Sequence, residues 1–128
     1  MVILLKELQN SLGLSYLFIS HNLSMVEYIA HDIAVMYLGR IVEQGRVEEV
    51  MQAPKHPYTQ ALLSAVPTIA RDGRKIIRLS GEMPSPSHPP TGCHFNPRCP
   101  QAMPKCRGRY PDALSVGECH RVRCFLAG

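Results

Sequence analysis

The sequence predicts an α/β segment followed by a small irregular unit, and three observations carry that expectation. The first half alternates helical and strand-like apolar patterns. Eight of the eleven prolines fall between Pro84 and Pro111, and all five cysteines lie in the last 36 of the 128 residues. At 45% hydrophobic and 19% charged residues, the composition fits a folded soluble chain rather than a disordered one. The apolar run Ile33 to Leu38 is far shorter than the about 20 residues that a membrane helix needs. The first residues lack a basic n-region and a small-residue cleavage site, so no signal peptide is read. Met1 opens directly on a helical pattern with no preceding strand, which reads as a truncated gene product or an engineered piece.

Val2, Leu5, Leu8 and Leu12 recur at helical spacing, and Gly13 is placed to stop that helix. Leu14 to Ser20 is aromatic and branched and predicts a buried strand. Asn22 is a cap for a short helix to about Ala30, with Leu23, Val26 and Ile29 or Ala30 facing inward. Ile33 to Leu38 is a second apolar run; Gly39-Arg40 reads as a two-residue turn, returning through Ile41 to Gln44 as a hairpin. Arg46 to Met51 predicts one or two helical turns. Pro57 suits the first position of a further helix with Tyr58, Ala61, Leu62 and Ala65 on one face. Beyond Pro67 the periodicity disappears, because proline removes backbone donors and crowds the preceding turn. A segment so poor in core residues needs an additional tie to stay ordered. The expected boundary lies near Pro67, with a basic connector from Arg71 to Arg78.

Charge divides along the same line. Residues 1–70 carry four Lys/Arg against six Asp/Glu, and residues 71–128 carry ten against four. A basic tail is compatible with nucleic acid or anionic lipid, but its arginines alternate with cysteines. Five cysteines cannot all pair with one another, and without a secretion signal a reducing compartment favours metal binding over disulfides.

His21 follows a predicted strand and precedes a helix, the position where open α/β sheets bind ligands. An imidazole there can hydrogen-bond a terminal phosphate; the plainer reading is a loop histidine. The run from Tyr16 through Ser20-His21-Asn22-Leu23 to Gly39-Arg40-Ile41-Val42-Glu43-Gln44-Gly45 closely resembles the switch-histidine region of ABC transporter ATP-binding subunits. That resemblance implies that residues 1–52 are the distal part of an ABC-type nucleotide-binding domain, and that His21 contacts the ATP γ-phosphate when two subunits close. Asn22 stands where many members carry Asp. The chain has no G-x-x-x-x-G-K-[ST] loop, no LSGGQ-type signature and no apolar run ending in Asp-Glu. It therefore lacks the phosphate cradle and the magnesium site, and is expected not to hydrolyse ATP alone.

His56-Pro57-Tyr58-Thr59-Gln60-Ala61-Leu62-Leu63 looks like the opening of the C-terminal extension of oligopeptide, dipeptide and nickel permease ATPases; read from the residues alone, it is a packed helix. Gly81 to Pro86 and Pro89 to Pro100 match the same extension. The implied organisation is residues 1–52, a helical extension and connector over 53–80, and a Cys-rich module over 81–128. The implied partners are a second ATP-binding subunit, two membrane permease subunits and, indirectly, a peptide-binding protein, at the cytoplasmic face of the cell membrane. ATP and magnesium belong to the full-length parent.

The cysteines follow the pattern Cys93-x5-Cys99-x6-Cys106-x12-Cys119-x4-Cys124, which contains no C-x2-C knuckle and fits the zinc-ribbon template poorly. Four thiolates from separate loops suit a [4Fe–4S] cluster, with zinc the runner-up. The resemblance implies Cys93, Cys99, Cys106 and Cys124 as the ligands and Cys119 as the odd one out. Arg98, Arg107, Arg109, Arg121 and Arg123 are expected to offset cluster charge, and a solvated basic face is the plainer reading. His88, His94 and His120 could each replace a thiolate. The competing functional reading is a stand-alone metal-cluster or nucleic-acid-binding module. Only Phe95, Tyr110 and Phe125 are aromatic in the tail, too few for a stacking array, so nucleic acid is not expected. Self-association through exposed apolar surface remains a further expectation.

Overall fold

A computed structural model describes residues 2–66, 76–79 and 81–127. The expected boundary at Pro67 and the basic residues 71–75 of the connector lie outside those residues. The chain is a mixed helix and sheet structure, with helix α1 at Val2–Leu12, α2 at Leu23–Ile29, strands β1 at Asp32–Tyr37 and β2 at Arg40–Arg46, then α3 at Val47–Gln52 and α4 at Pro57–Ser64. A 3-10 turn at Asn96–Arg98, helix α5 at Pro104–Gly108, the short strands β3 at Leu114–Ser115 and β4 at Arg121–Val122, and a 3-10 turn at Phe125–Ala127 complete it.

Helix α1 ends where expected: Gly13 has φ +63° and its N–H donates to the Gln9 carbonyl at 3.0 Å. Lys6 holds α1 against α2, donating to the Tyr28 carbonyl at 3.2 Å and standing 4.3 Å from that ring's centre. The predicted strand at Leu14 to Ser20 is not formed. Leu17 and Ile19 are 93% and 97% exposed, and the segment joins none of the ladders among the described residues. Its β propensity is intact, but a strand needs a neighbour to receive its backbone groups. Asn22 caps α2 as its side chain predicts, accepting from the Met25 N–H at 3.2 Å.

β1 and β2 form the predicted hairpin, with the turn one residue earlier than the sequence reading placed it. Tyr37 pairs with Arg40, so Leu38 and Gly39 are the central residues, at φ +48° and +76°. Positive φ at both positions is the primed turn that matches strand twist, and Gly39 supplies one of them without strain. The ladder then shifts: Val35 pairs with Glu43 but Met36 with Ile41, leaving Val42 as an extra residue. This bulge breaks the two-residue alternation, so consecutive Val42 and Glu43 are both buried.

The tail continues this hairpin into a four-stranded antiparallel sheet of order β1-β2-β4-β3, with Glu43 opposite Val122 and Gln44 opposite Arg121. The main core gathers Val35, Tyr37, Val42 and Val50 with Phe95 from the tail; Tyr58, Leu62, Leu79, Cys93 and Cys99 pack against it. A second cluster joins Val47 and Met51 of α3 to Leu63 of α4. Helix α4 starts at Pro57 as expected, yet it is covered on more than the predicted face. Thr59 and Leu63 are buried while Ala65, just past its end, is exposed.

Candidate functional site

Three backbone segments of the tail converge on one small cavity. Gly92, at φ +74°, turns the chain so closely against α5 that a Cβ there would lie 2.2 Å from the Cys106 carbonyl oxygen. The next residue completes the junction, the Cys93 N–H donating to that same oxygen at 2.7 Å. The Asn96 side chain donates to the Cys93 carbonyl at 2.7 Å and to that of Thr91 at 3.0 Å, fixing the loop that leads to Cys99. Pro104 opens α5, which presents Cys106, and the Met103 N–H points at the Cys106 sulfur at 3.5 Å. Cys124 arrives from the end of β4.

Cys93, Cys99, Cys106 and Cys124 all line this cavity of about 10 Å³, together with His56 and Phe95. Cys106 and Cys124 are buried, Cys93 and Cys99 half-buried, and Cys119 is exposed and lines no part of it. Burial pushes the Cys93, Cys99 and Cys124 thiols up, and neighbouring cysteines add to each shift. Groups that perturb one another in this way share one electrostatic site. A metal that bound them would displace their protons.

The four thiols are the kind of donor that binds soft metals. Among the described residues, however, no group of three or more His, Cys, Asp or Glu side chains is arranged as a metal site. The cavity itself is about the size that a single water requires.

The other predicted residues lie elsewhere. His21 is exposed, between the extended segment and α2. None of the five arginines expected beside the cysteines lines the cavity. Arg123 and Arg40 lie over the Tyr110 ring, 5.9 and 4.4 Å from its centre, and Arg109 and Lys105 over Phe125. His94 packs edge-on against Tyr110 at 5.1 Å; burial, then Arg40, holds its pKa below the usual value. His120 is buried and hydrogen-bonds Glu43 at 2.5 Å.

Two buried groups escaped the sequence reading. Glu43 also accepts the backbone N–H groups of Lys55 at 2.8 Å and His56 at 2.9 Å, so one carboxylate ties β2, the start of α4 and the tail. His56 borders the cysteine cavity and is 1% exposed. Its Nδ1 accepts the Tyr58 N–H at 3.0 Å, capping α4, and burial lowers its pKa to about 4. The sequence marked His56 only as part of a helix-opening motif.

Residues 42–106 match the family described as "Oligopeptide/dipeptide transporter, C-terminal region". The chain is 50% identical over 123 residues to the dipeptide transport ATP-binding protein DppF of Haemophilus influenzae, covering 95% of this chain and 38% of that protein. It is 51% identical to the dipeptide transport ATP-binding protein DppF of Escherichia coli, covering 95% of this chain and 36% of that protein. It is 47% identical to the oligopeptide transport ATP-binding protein AppF of Bacillus subtilis, covering 96% of this chain and 38% of that protein. The chain thus spans well under half the length of these curated relatives.

Proposed function

Because the chain belongs to the oligopeptide/dipeptide transporter C-terminal-region family, we propose that it is the distal part of the ATP-binding subunit of a peptide-import ABC transporter. The observation that carries this reading is about 50% identity, sustained across nearly the whole chain, to proteins named for dipeptide transport. In that setting the subunit works with a second ATP-binding subunit, two permease subunits and a peptide-binding protein, peripherally at the cytoplasmic face of the membrane. No helix among the described residues is long and apolar enough to cross a membrane. Residues 1–52 would complete the nucleotide-binding domain, 53–80 the helical extension and 81–128 the Cys-rich module. His21 would meet the ATP γ-phosphate in the closed dimer, with ATP and magnesium held by motifs absent from these 128 residues.

A chimera tests this. Residues 1–128 replace the matching portion of the Escherichia coli relative, and dipeptide uptake and ATP turnover are measured. Both should persist, and His21→Ala should reduce turnover by about 10²-fold, the usual scale for losing one group that assists a reacting phosphate. A folded chimera that binds ATP but neither transports nor hydrolyses would overturn the assignment. The 128-residue chain by itself should show no turnover.

The four cavity cysteines would hold a metal centre, either a [4Fe–4S] cluster, the first choice from spacing and resemblance, or zinc. When bound, such a centre cross-links the tail's loops, and iron would add a redox group. This chain's own contribution is to bring four thiols from three segments to one cavity. Elemental analysis of anaerobically purified protein should find iron and sulfide. Cys93→Ser, Cys99→Ser, Cys106→Ser and Cys124→Ser should each lose most of the metal, whereas Cys119→Ser keeps it. Zinc alone would replace the iron assignment, and a metal-free wild type would remove the centre altogether.

A further inference from the structure

Arg121 and Arg123 stand two residues apart where the tail pairs with β2. Successive side chains of an extended strand point to opposite faces, so these two share a face while Val122 between them is 1% exposed. The Arg123 N–H donates to the Val42 carbonyl at 2.8 Å, which carries the alternation one residue past β4. Both arginines line a groove of about 180 Å³ between β2 and the tail, bordered also by Ile41, Gln44 and Ala113. That is many times the room a single water needs. Glu43 borders the groove too, but its oxygens are taken by Lys55, His56 and His120.

Arg40 brings a third guanidinium to the same region. It lies 4.4 Å from the centre of the Tyr110 ring, over which Arg123 stands at 5.9 Å. Arg123 also donates to the Pro111 carbonyl at 3.4 Å. Ring and carbonyl fix its position without neutralising it. None of the three arginines makes an ion pair among the described residues. Like charges gathered in this way repel one another, and a bound anion would relieve that repulsion.

We propose that this groove binds an anion of the phosphate class, held between Arg121 and Arg123, with Arg40 adding to the attraction. A guanidinium fork matches phosphate oxygens two at a time. Three unpaired positive charges exceed the single negative charge of a carboxylate, whereas a phosphate monoester or a diphosphate carries the larger charge that balances them. Arg123 is held before the ligand arrives, so less freedom is lost on binding. The exposed Arg121 has no partner among the described residues to give up. The site is separate from the γ-phosphate contact of His21 and does not depend on the peptide-transport reading. The same phosphate chemistry occurs on a soluble diphosphate and on an anionic lipid headgroup.

Two measurements on the 128-residue chain test the site and separate those sources. Pyrophosphate is titrated by calorimetry at constant ionic strength, and pelleting is measured with phosphatidylcholine vesicles with and without phosphatidic acid. Arg121→Gln and Arg123→Gln should each weaken binding about 10-fold, the scale of one charge-assisted hydrogen bond. Arg121→Lys, which keeps the charge and loses the fork, should recover only part of it. Arg107→Gln removes the same charge from an exposed position outside the groove and should leave affinity unchanged. Arg121 packs on nothing that its loss would disturb, so its variants report on the groove and not on the fold.

Pyrophosphate binding without pelleting assigns the site to a soluble phosphate. Pelleting on phosphatidic acid that falls with the same two glutamine variants assigns it to a lipid headgroup. Absence of saturable binding in both measurements, or an equal loss from Arg107→Gln, would overturn the proposal.

Discussion

Replacing Glu43 by alanine is expected to cost the chain about 3–5 kcal/mol, the scale for stripping one partner from a buried charged network. Glu43 is 1% exposed, and its two oxygens accept from Lys55 N, His56 N and the His120 ring. Truncation leaves those donors buried without acceptors, and it removes the side chain that joins β2, the start of α4 and the tail. Whole-domain stabilities run to only about 5–15 kcal/mol, so the loss approaches unfolding. Urea denaturation followed by circular dichroism reads it directly. Gln44→Ala, at the exposed neighbouring position, should stay within about 0.5 kcal/mol. His120→Ala should destabilise less than Glu43→Ala, because the two backbone donors keep their carboxylate. A double-mutant cycle should then show strong coupling between residues 43 and 120. A Glu43→Ala chain within about 1 kcal/mol of wild type would show that the carboxylate is not the tie described.

Phe95→Ala should be comparably damaging, at about 3–5 kcal/mol for a buried aromatic truncation. Phe95 is 1% exposed and meets Tyr37 edge-on at 5.2 Å, Tyr58 at 5.4 Å and His56 at 5.6 Å. Among the described residues it is the tail's one fully buried member of the main cluster, and it lies between Cys93 and Cys99 in sequence. Its loss should free the cysteine loops as well as open a cavity. Two readouts are therefore expected to move together: a melting temperature lower by on the order of 10 °C, and faster modification of buried thiols by a thiol reagent. Phe95→Leu, which refills most of the volume, should recover a good part of both. Unchanged thiol reactivity in a clearly destabilised Phe95→Ala chain would separate the loops from this packing.

The parts of the fold that were legible in the sequence are those fixed by neighbours along the chain. Gly13 stopping α1, Asn22 capping α2, Pro57 opening α4 and the β1–β2 hairpin each depend on a few consecutive residues. The family was legible for the same reason, because its motifs are contiguous words. The strand expected at Leu14 to Ser20 failed because pairing depends on a neighbour and not on the segment's own composition. His21 was legible as a position next to α2, where it is exposed. The tail's cohesion was missed because it rests on Phe95 packing among residues of β1, β2 and α3, and on the Glu43 carboxylate supplied by β2.

By itself the sequence determined the helix ends, the hairpin, the family and the set of cysteines. Only the tertiary structure decided that a bulge at Val42 turns Glu43 inward, that four of the five thiols share a cavity, and that the buried His56 borders it. The physical reason is range. Caps and turns are settled by backbone geometry within a few residues, whereas the burial of a charge or the convergence of loops depends on what the rest of the chain places opposite.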